Sequence, residues 1–215
     1  MRQICRKKNT LPIGVDIIDI HEQRHQHPRF ASRVLSGSEY LRFQGSSDPG
    51  VFLLKAWAAK EAAYKYFTQI RPGLSFIPCR FVYDDRNGQV IYDGDTVFLN
   101  FEINRNFVFC LTRDESAWSF HETARTLHIL NENFPERNSF SGDEMSEIRC
   151  EESLAVRMLA KRMISRCLRC GYGEIAILKG SNGIPKVFLN GSGAGISLSF
   201  SHHGRFAAAG IQFTP

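Results

Sequence analysis

The segment NGQVIYDG at residues 87–94 recurs in altered form as NGIPKVFLNG at residues 182–191. In both segments an Asn-Gly pair leads into a short run of β-branched and aromatic residues, which predicts a hairpin turn followed by a strand. A segment with helical spacing of its apolar residues precedes each one, at residues 50–70 and 152–170. This repetition predicts two similar units, each formed by a helix and an antiparallel meander.

The predicted fold class is α+β, with two similar subdomains related by pseudo-two-fold symmetry, each a helix packed on a small antiparallel sheet. The first half covers residues 1–112 and the second half covers residues 150–215. Residues 113–149 between them are rich in Ser, Asn, Glu and Asp, and we expect a connector there with one helix around residues 121–130. Two units placed face to face leave a cleft between them, which is a common location for a ligand.

The chain has 215 residues, of which 43% are hydrophobic and 23% are charged, as is typical of a globular protein. No apolar run approaches the roughly 20 residues that a membrane helix needs. A secretory signal is not expected, because two aspartates interrupt the apolar stretch at residues 11–20. Six scattered cysteines without the spacing of a disulfide framework predict reduced thiols and a cytoplasmic location.

The formal net charge of +5 favours an anionic partner. The sequence has no RNP motif, no zinc-finger spacing and no run of five basic residues, so nucleic acid is not the expected partner. It also has no GxSxG, Walker or dinucleotide-binding fingerprint. Serine hydrolases, P-loop enzymes and Rossmann dehydrogenases are therefore without support.

Two carboxylates occupy positions where apolar residues would be expected. Asp16 interrupts the predicted strand IGVDIIDI at residues 13–20, and Glu61 lies on the Trp57 side of the first long helix. A buried carboxylate is costly unless it is paired or binds a metal ion. From these segments alone, Asp16 could also pair with a Lys or Arg, and Glu61 could be an ordinary solvated charge.

Lys60 and Lys65 beside these acids suggest a divalent cation that holds phosphate oxygens. Mg²⁺ typically takes one or two protein carboxylates and completes its shell with water and phosphate. Lys65 lies one helical turn beyond Glu61, so it could reach the same phosphate or form an i, i+4 pair with Glu61.

The segment SFSHHGRF at residues 199–206 ends a predicted strand with two hydroxyls and an imidazole. Hydroxyl and imidazole N–H groups are suitable donors to an anionic oxygen. The alternative is a turn with exposed histidines.

Together these segments resemble the 4′-phosphopantetheinyl transferase superfamily. The family pattern combines a G-(I/V)-D strand, a W-x-x-K-E-(A/S)-x-x-K helix, and an S-x-S-H strand that follows a G-K-P turn. The corresponding segments here are GVD at residues 14–16, WAAKEAAYK at 57–65 and SFSH at 199–202, with RF at 29–30 and RVLSGSEY at 33–40 as further similarities. The resemblance covers most of the chain outside residues 113–149.

The resemblance implies that the phosphopantetheine arm of coenzyme A is transferred to a serine of an apo acyl or peptidyl carrier protein, with release of 3′,5′-ADP. It identifies Asp16 and Glu61 as ligands of Mg²⁺ and Lys65 as a catalytic contact of the phosphates. Glu61, or a water held by it and Asp16, would accept the serine proton. The carrier would serve fatty-acid, polyketide or nonribosomal peptide synthesis.

The resemblance also implies the residues that meet the two substrates. Those that would bind coenzyme A are Lys65, Arg157, Lys186, Ser201 and His202. Those that would meet an acidic carrier protein are Arg24, Arg29 and Arg33. Because the first half lacks the S-x-S-H segment and the second lacks the K-E helix, one site across the internal cleft of a monomeric pseudo-dimer is expected.

Two departures from the family pattern stand out. Ile184 replaces the lysine of the G-K-P turn, although Lys186 could partly substitute for it. Ile18 replaces a third acid that some members carry, which would leave the metal shell to water. These departures keep open an alternative, a non-catalytic module that binds coenzyme A or a carrier protein.

Overall fold

The computed structural model describes residues 11–22, 29–114, 116–131, 139–180 and 182–213. The elements of the first half are β1 (Val15–Asp19), α1 (Phe30–Val34), α2 (Gly37–Gln44), α3 (Pro49–Ile70), β2 (Val82–Asp84), β3 (Gln89–Tyr92), β4 (Asp95–Ile103) and β5 (Phe107–Arg113). Their strands form one antiparallel sheet in the order β1-β5-β4-β3-β2. Strand β1 thus lies at one edge of the sheet, and β5, the last strand of this half, pairs with it.

The second half repeats this plan. Its elements are β6 (Trp118–Arg125), α4 (Thr126–Asn131), α5 (Gly142–Glu147), α6 (Glu151–Leu168), β7 (Ile175–Lys179), β8 (Pro185–Leu189), β9 (Ser192–His203) and β10 (Phe206–Phe213). The strand order β6-β10-β9-β8-β7 matches that of the first sheet position by position. The predicted α+β class with two similar subdomains is confirmed.

The prediction of a connector helix around residues 121–130 is wrong, because β6 covers Trp118–Arg125 and pairs along its length with β10. Only Thr126–Asn131 at the end of that range is helical. Strand β6 lies at the edge of its sheet and leaves most side chains exposed, so its sequence WSFHETAR lacks the apolar alternation that indicates a strand. Residues 113–149 therefore contain the second half's counterparts of β1, α1 and α2.

A buried Glu–Lys pair ties the helices to the sheet in each half. Ser36 and Glu39 form a capping box at the start of α2, and Glu39 Oε2 accepts a hydrogen bond of 2.7 Å from Lys60 on α3. Glu39 Oε1 also accepts from the backbone N–H of Tyr83 at 2.7 Å. The side chains of Glu39 and Lys60 are fully buried, so each must keep its partner.

The second half contains the same cluster. Ser141 and Glu144 form the capping box of α5, Glu144 accepts from Lys161 on α6 at 3.0 Å, and Ile177 donates its N–H to Glu144 at 2.9 Å. The duplication is therefore present in buried polar contacts as well as in strand order.

The two halves meet along strand β1, which is buried on both faces. One face packs on α3 and the other packs on the second sheet. The apolar residues of this junction are Ile13, Val15, Ile17, Phe107, Phe109, Leu111, Phe206 and Ala208. Within the described ranges, no helix is long and apolar enough to cross a membrane.

Candidate active site

Gly14 allows α3 to lie directly on β1. A Cβ atom at this position would come within 1.8 Å of the backbone oxygen of Ala62 and 2.9 Å of the backbone nitrogen of Tyr66. No side chain fits there, so only glycine permits this approach. The contact brings the helix face that carries Glu61 and Lys65 next to Asp16, two residues further along β1.

Lys65 contacts β1 through its ammonium group. Its Nζ donates to the carbonyl oxygen of Val15 at 3.0 Å and to Asp16 Oδ1 at 2.9 Å. The lysine is therefore directed to the strand, and the i, i+4 pair with Glu61 is not the contact that it forms. Its positive charge therefore lies next to the carboxylate of Asp16.

Glu61 lies close enough to Asp16 for the two carboxylates to repel each other. Burial, and then the negative charge of Asp16, raise the pKa of Glu61 to about 7, while the ammonium of Lys65 acts in the opposite direction. A carboxylate in this setting either holds a proton near neutral pH or is compensated by a cation. Glu61 is thus not a solvated helix charge.

The second half reaches Asp16 through β9. The hydroxyl of Ser201 donates to Asp16 Oδ1 at 2.7 Å, and the hydroxyl of Ser199 accepts from the backbone N–H of Val15 at 3.1 Å. Residues about 185 positions apart in the chain are thereby in direct contact. Ser201 is buried against Asp16, so its hydroxyl points to the carboxylate of the first half.

A cavity of about 350 Å³ opens beside these residues, between α3 and the second half. The residues of α3 that line it are Tyr64, Lys65, Thr68 and Gln69. The opposite wall includes Ser153 and Arg157 of α6, the turn at Asn182–Pro185, and Phe200 and His202 of β9. The predicted residues Lys65, Arg157 and His202 therefore share one cavity.

Arg157 is held in place at the wall of this cavity. Its guanidinium donates to the hydroxyl of Ser153 at 2.6 Å and to Glu147 at 3.3 Å, and it lies over the ring of Phe200 at 5.6 Å. Its Nε atom is buried without a hydrogen-bond partner in the described part of the chain. Arg157 thus supplies a fixed positive charge, with donor capacity that the protein itself does not use.

His202 lies exposed at the rim of the cavity. Partial enclosure of the ring lowers its pKa below the usual value, and the carboxylate of Glu152 offsets part of this effect. A neutral imidazole near pH 7 still offers one N–H donor to an anionic ligand.

Lys186 lies outside the first cavity and lines a neighbouring one of about 440 Å³. The two cavities share Gln69, Asn182, Ile184, Pro185 and Leu198, so together they form one groove along the β7–β8 turn. Ile184 contributes an apolar wall where the family pattern has a lysine. Lys186, on β8, is the cation available further along the same groove.

Some of the other predicted residues lie away from the cavity. Lys60 points to the opposite side of α3, where it pairs with Glu39, so it does not accompany Lys65 at the acids. Arg29 and Arg33 are exposed at the start and end of α1. Arg24 lies outside the described residues.

The pair Asp16 and Glu61 fits a magnesium ion in the donors that it offers. In the described ranges of the chain, no three His, Cys, Asp or Glu side chains are grouped to hold a metal ion. Two carboxylates with water and phosphate oxygens are, however, a usual set for Mg²⁺ at nucleotide sites. Both hydrogen bonds to Asp16 from Lys65 and Ser201 go to Oδ1, which leaves Oδ2 on the carboxylate for a cation.

The second half contains a counterpart of this acidic pair in which one charge is reversed. Glu122 faces Ala209 on β10, at the register where Asp16 faces Cys110 on β5. Arg162, next to the buried Lys161, occupies the position of Glu61, and its guanidinium donates to Glu122 at 2.6 Å. The second location is thus neutralised by the protein's own ion pair and has no carboxylate pair for a metal ion.

Asp19 is a buried acid for which the sequence predicts no role. Its carboxylate binds Arg205, in the turn that follows His202, across the junction between the halves. The signal that identified Asp16, an acid in an apolar strand, applies equally to Asp19 and could have found it.

Residues 12–129 match the family model of the 4′-phosphopantetheinyl transferase superfamily. This range contains Asp16, Glu61 and Lys65, and it ends before Arg157, Ser201 and His202. More than half of the chain is covered by the match.

Sequence relatives include the holo-(acyl-carrier-protein) synthase of Aliivibrio salmonicida, 42% identical over 114 residues that cover 50% of this chain and 90% of the relative. Those of Blochmanniella pennsylvanica and Cronobacter sakazakii are 37% and 42% identical over 36% and 31% of this chain. The chain spans only 65% and 56% of the length of these two relatives. A solved holo-(acyl-carrier-protein) synthase from Neisseria meningitidis aligns with 48% of this chain and 96% of its own, at a TM-score of 0.40 and 21% identity.

Proposed function

The chain belongs to the 4′-phosphopantetheinyl transferase superfamily, and we propose that it transfers the phosphopantetheine arm of coenzyme A to a serine of an apo acyl or peptidyl carrier protein. The observation that carries the proposal is the cavity between the halves, where Lys65 of one half lies opposite Arg157 and His202 of the other. Asp16 and Glu61 lie next to Lys65, outside the residues that line this cavity. Coenzyme A has a pyrophosphate and a distant 3′-phosphate, so its recognition needs cationic or donor groups at two ends of a groove.

Asp16 and Glu61 are proposed as the ligands of a Mg²⁺ ion. When bound, this ion would neutralise charge on the pyrophosphate and on the departing nucleotide. Burial and the negative charge of Asp16 raise the pKa of Glu61, and this supports the role, because a cation held by the two carboxylates would compensate their charge. Lys65, already bonded to Asp16, would donate to the same phosphate oxygens.

The proposed reaction is a displacement at phosphorus. The serine oxygen of the carrier forms a bond to the phosphorus that bears the pantetheine arm, and the bond from this phosphorus to the bridging oxygen breaks. The bridging oxygen leaves with 3′,5′-ADP, and the serine proton passes to Glu61 or to a water held by Glu61 and Asp16.

The nucleotide end of coenzyme A is assigned to the second half. Arg157, with its unpartnered Nε atom, and His202 at the rim support binding of the 3′-phosphate side, and Lys186 further along the groove supports a second contact. Ser201 is proposed to act on this side through its bond to Asp16, which fixes β9 against the metal ligands.

The carrier protein is assigned to the surface of α1. Arg29 and Arg33 are exposed there, and Arg24 precedes them in the sequence. Carrier proteins of this family are acidic, and the net charge of +5 would accelerate their encounter with the enzyme.

A second candidate function is binding of coenzyme A or a carrier protein without turnover. Ile184 favours it, since the groove is apolar where the family places a lysine. This candidate predicts a protein that binds coenzyme A and leaves the carrier unmodified.

The test is a mass measurement on a panel of apo carrier proteins from fatty-acid, polyketide and peptide synthesis, each incubated with the protein, coenzyme A and Mg²⁺. The expected result is a gain of one phosphopantetheine arm on at least one carrier. Glu61→Gln should abolish the gain, whereas the matched control Glu102→Gln, at an exposed residue of β4, should retain it. Binding of coenzyme A with no gain on any carrier would favour the second candidate.

A further inference from the structure

Strand β1 and the second sheet are joined by side chains, and the strongest of these contacts lies at the end of β1. Arg205 donates from Nε to Asp19 Oδ2 at 2.7 Å and from a terminal guanidinium nitrogen to Oδ1 at 2.8 Å. The backbone N–H of Arg205 donates to Oδ2 as well, at 3.1 Å. The two residues are 186 positions apart, so one carboxylate of the first half takes three donors from the second.

The backbone around this contact is shaped to fit it. His203 accepts the backbone N–H of Asp19 on Nδ1 at 3.2 Å. Gly204 adopts a φ of +53°, and a Cβ atom there would lie 2.7 Å from Asp19 Oδ2. A side chain at residue 204 would therefore push the turn away from β1, which is why glycine is needed at this close approach.

Asp19 depends on Arg205 because its carboxylate is buried. The Asp19 side chain is only 2% exposed, and the hydrogen bonds from Arg205 hold its pKa well below the usual range. Bidentate, charge-assisted bonds of this kind are the strong class of hydrogen bond and fix the relative orientation of their partners. Removing Arg205 would leave a buried, unpaired carboxylate.

The position of this pair relative to the cleft gives it a consequence for ligand binding. Asp19 follows Asp16 by three residues, and Arg205 follows His202 by three. Neither Asp19 nor Arg205 lines the cavity between the halves. The pair instead fixes the two chain segments that carry the metal side and the nucleotide side of the site.

We propose that Asp19 and Arg205 are positioning residues. They hold the end of β9, which carries Ser201 and His202, against Asp16, so that the protein contacts both ends of coenzyme A at the same time. The inference rests on the proposed function. A ligand that bridges both halves is bound most tightly when their distance is preset, and it loses affinity when it must order them itself.

The test compares Arg205→Gln and Asp19→Asn with the wild type in steady-state transfer assays. Both variants should raise the KM for coenzyme A by about tenfold while kcat at saturating coenzyme A stays within about twofold, because bound coenzyme A draws the halves together. The KM for the carrier protein should not change. The double variant should be no worse than either single variant, since one interaction is lost in all three.

Two further variants separate positioning from general stability. Arg205→Lys keeps the charge and should recover part of the affinity for coenzyme A, with a KM between those of the wild type and Arg205→Gln. Arg162→Gln breaks a partly buried Arg–Glu pair that lies within one half, and it should leave the KM for coenzyme A unchanged. Equal effects of Arg162→Gln and Arg205→Gln would overturn the proposal.

Calorimetric measurement of coenzyme A binding distinguishes failure of this inference from failure of the proposed function. If the wild type modifies no carrier, the proposed function fails. Weaker binding of coenzyme A by Arg205→Gln than by Arg162→Gln would then still support the positioning role of Asp19 and Arg205. Wild-type affinity for coenzyme A in a folded Arg205→Gln protein overturns the inference while transfer stands. A wild type that neither transfers the arm nor binds coenzyme A overturns both.

Discussion

Gly14 shows how much of the candidate site depends on one residue without a side chain. It is the position at which α3 approaches β1 most closely, and through that approach Glu61 and Lys65 reach Asp16. The close approach of α3 therefore explains the glycine of the G-V-D segment. The interactions of Asp16 with Lys65 and Glu61 explain the aspartate.

Replacing Gly14 by alanine should lower stability and transfer together. The added Cβ atom would overlap the backbone of α3, which a rigid helix cannot relieve by moving one side chain, so we expect a loss of about 3 kcal/mol or more in the free energy of unfolding. Urea denaturation measures the loss. Gly37→Ala is the matched control, because nothing lies within 4 Å of the new atom, and it should change stability by less than about 1 kcal/mol.

Glu61 should make the metal-free protein less stable as the pH rises. Its pKa is about 7 in the folded chain and 4.5 in a free side chain. Between these values the folded state binds more protons than the unfolded state, so stability falls with increasing pH. Glu61→Gln removes this dependence. In EDTA the variant should gain about 1–2 kcal/mol over the wild type at pH 8 and little at pH 4.5, allowing for partial exposure.

Added Mg²⁺ should stabilise the wild type at pH 8 and should have a smaller effect on Glu61→Gln. Denaturation midpoints at both pH values, with and without Mg²⁺, give the comparison, and Glu102→Gln serves as the exposed control. An unchanged pH profile in Glu61→Gln would mean that the pKa of Glu61 is not raised in the folded protein.

The sequence predicts some of these residues and misses others for a physical reason. Asp16 and Glu61 stand out because an acid among apolar neighbours needs a compensating partner. The role of Asp19 depends on Arg205, which lies in an exposed turn of ordinary composition 186 residues away. Adjacency to Glu61 predicts Lys60 near the acids, but successive residues of a helix point about 100° apart, and the partner of Lys60, Glu39, lies on the other face.

At the level of helices and strands, the duplicated Glu–Lys clusters hold each half together. Glu39 and Lys60 connect α2, α3 and β2, and Glu144 and Lys161 connect α5, α6 and β7. Burial lowers the pKa of both lysines below the usual value, while the paired carboxylates favour the charged form.

Lys60→Met should destabilise the protein by about 3 kcal/mol, because it leaves the buried carboxylate of Glu39 without its cation. The double variant Glu39→Gln/Lys60→Met should lose less than the single one, since no buried charge remains. Urea denaturation of the two variants and the wild type measures the difference. A double variant that is less stable than Lys60→Met would show that the pair itself stabilises the fold.

Strand β6 is an example of an element that the sequence pattern does not predict. The long helices and the Asn-Gly hairpins are predicted because their apolar spacing and turn residues are local properties. Strand β6 is recognisable only through its pairing with β10, more than 80 positions further along the chain. Edge strands with exposed side chains lack the periodic pattern on which such predictions rest.

The molecule as a whole is a duplicated scaffold in which only one of the two equivalent locations has kept a pair of carboxylates. Arg162 neutralises Glu122 in the second half, whereas Glu61 and Asp16 repel each other in the first. The wild type should therefore bind one divalent cation per chain in the presence of coenzyme A. A Mn²⁺ titration followed by electron paramagnetic resonance counts the sites, and two equivalent ions per chain would contradict the assignment of Arg162.

The proposed function requires one ligand site that is built from both halves. The most direct measurement is a crystal structure of the protein with coenzyme A and Mg²⁺. We expect a metal ion on Asp16 and Glu61, with the pyrophosphate at Lys65 and the nucleotide end of the same coenzyme A molecule against Arg157 and His202. Coenzyme A bound to one half alone, with no contact to the other, would contradict it.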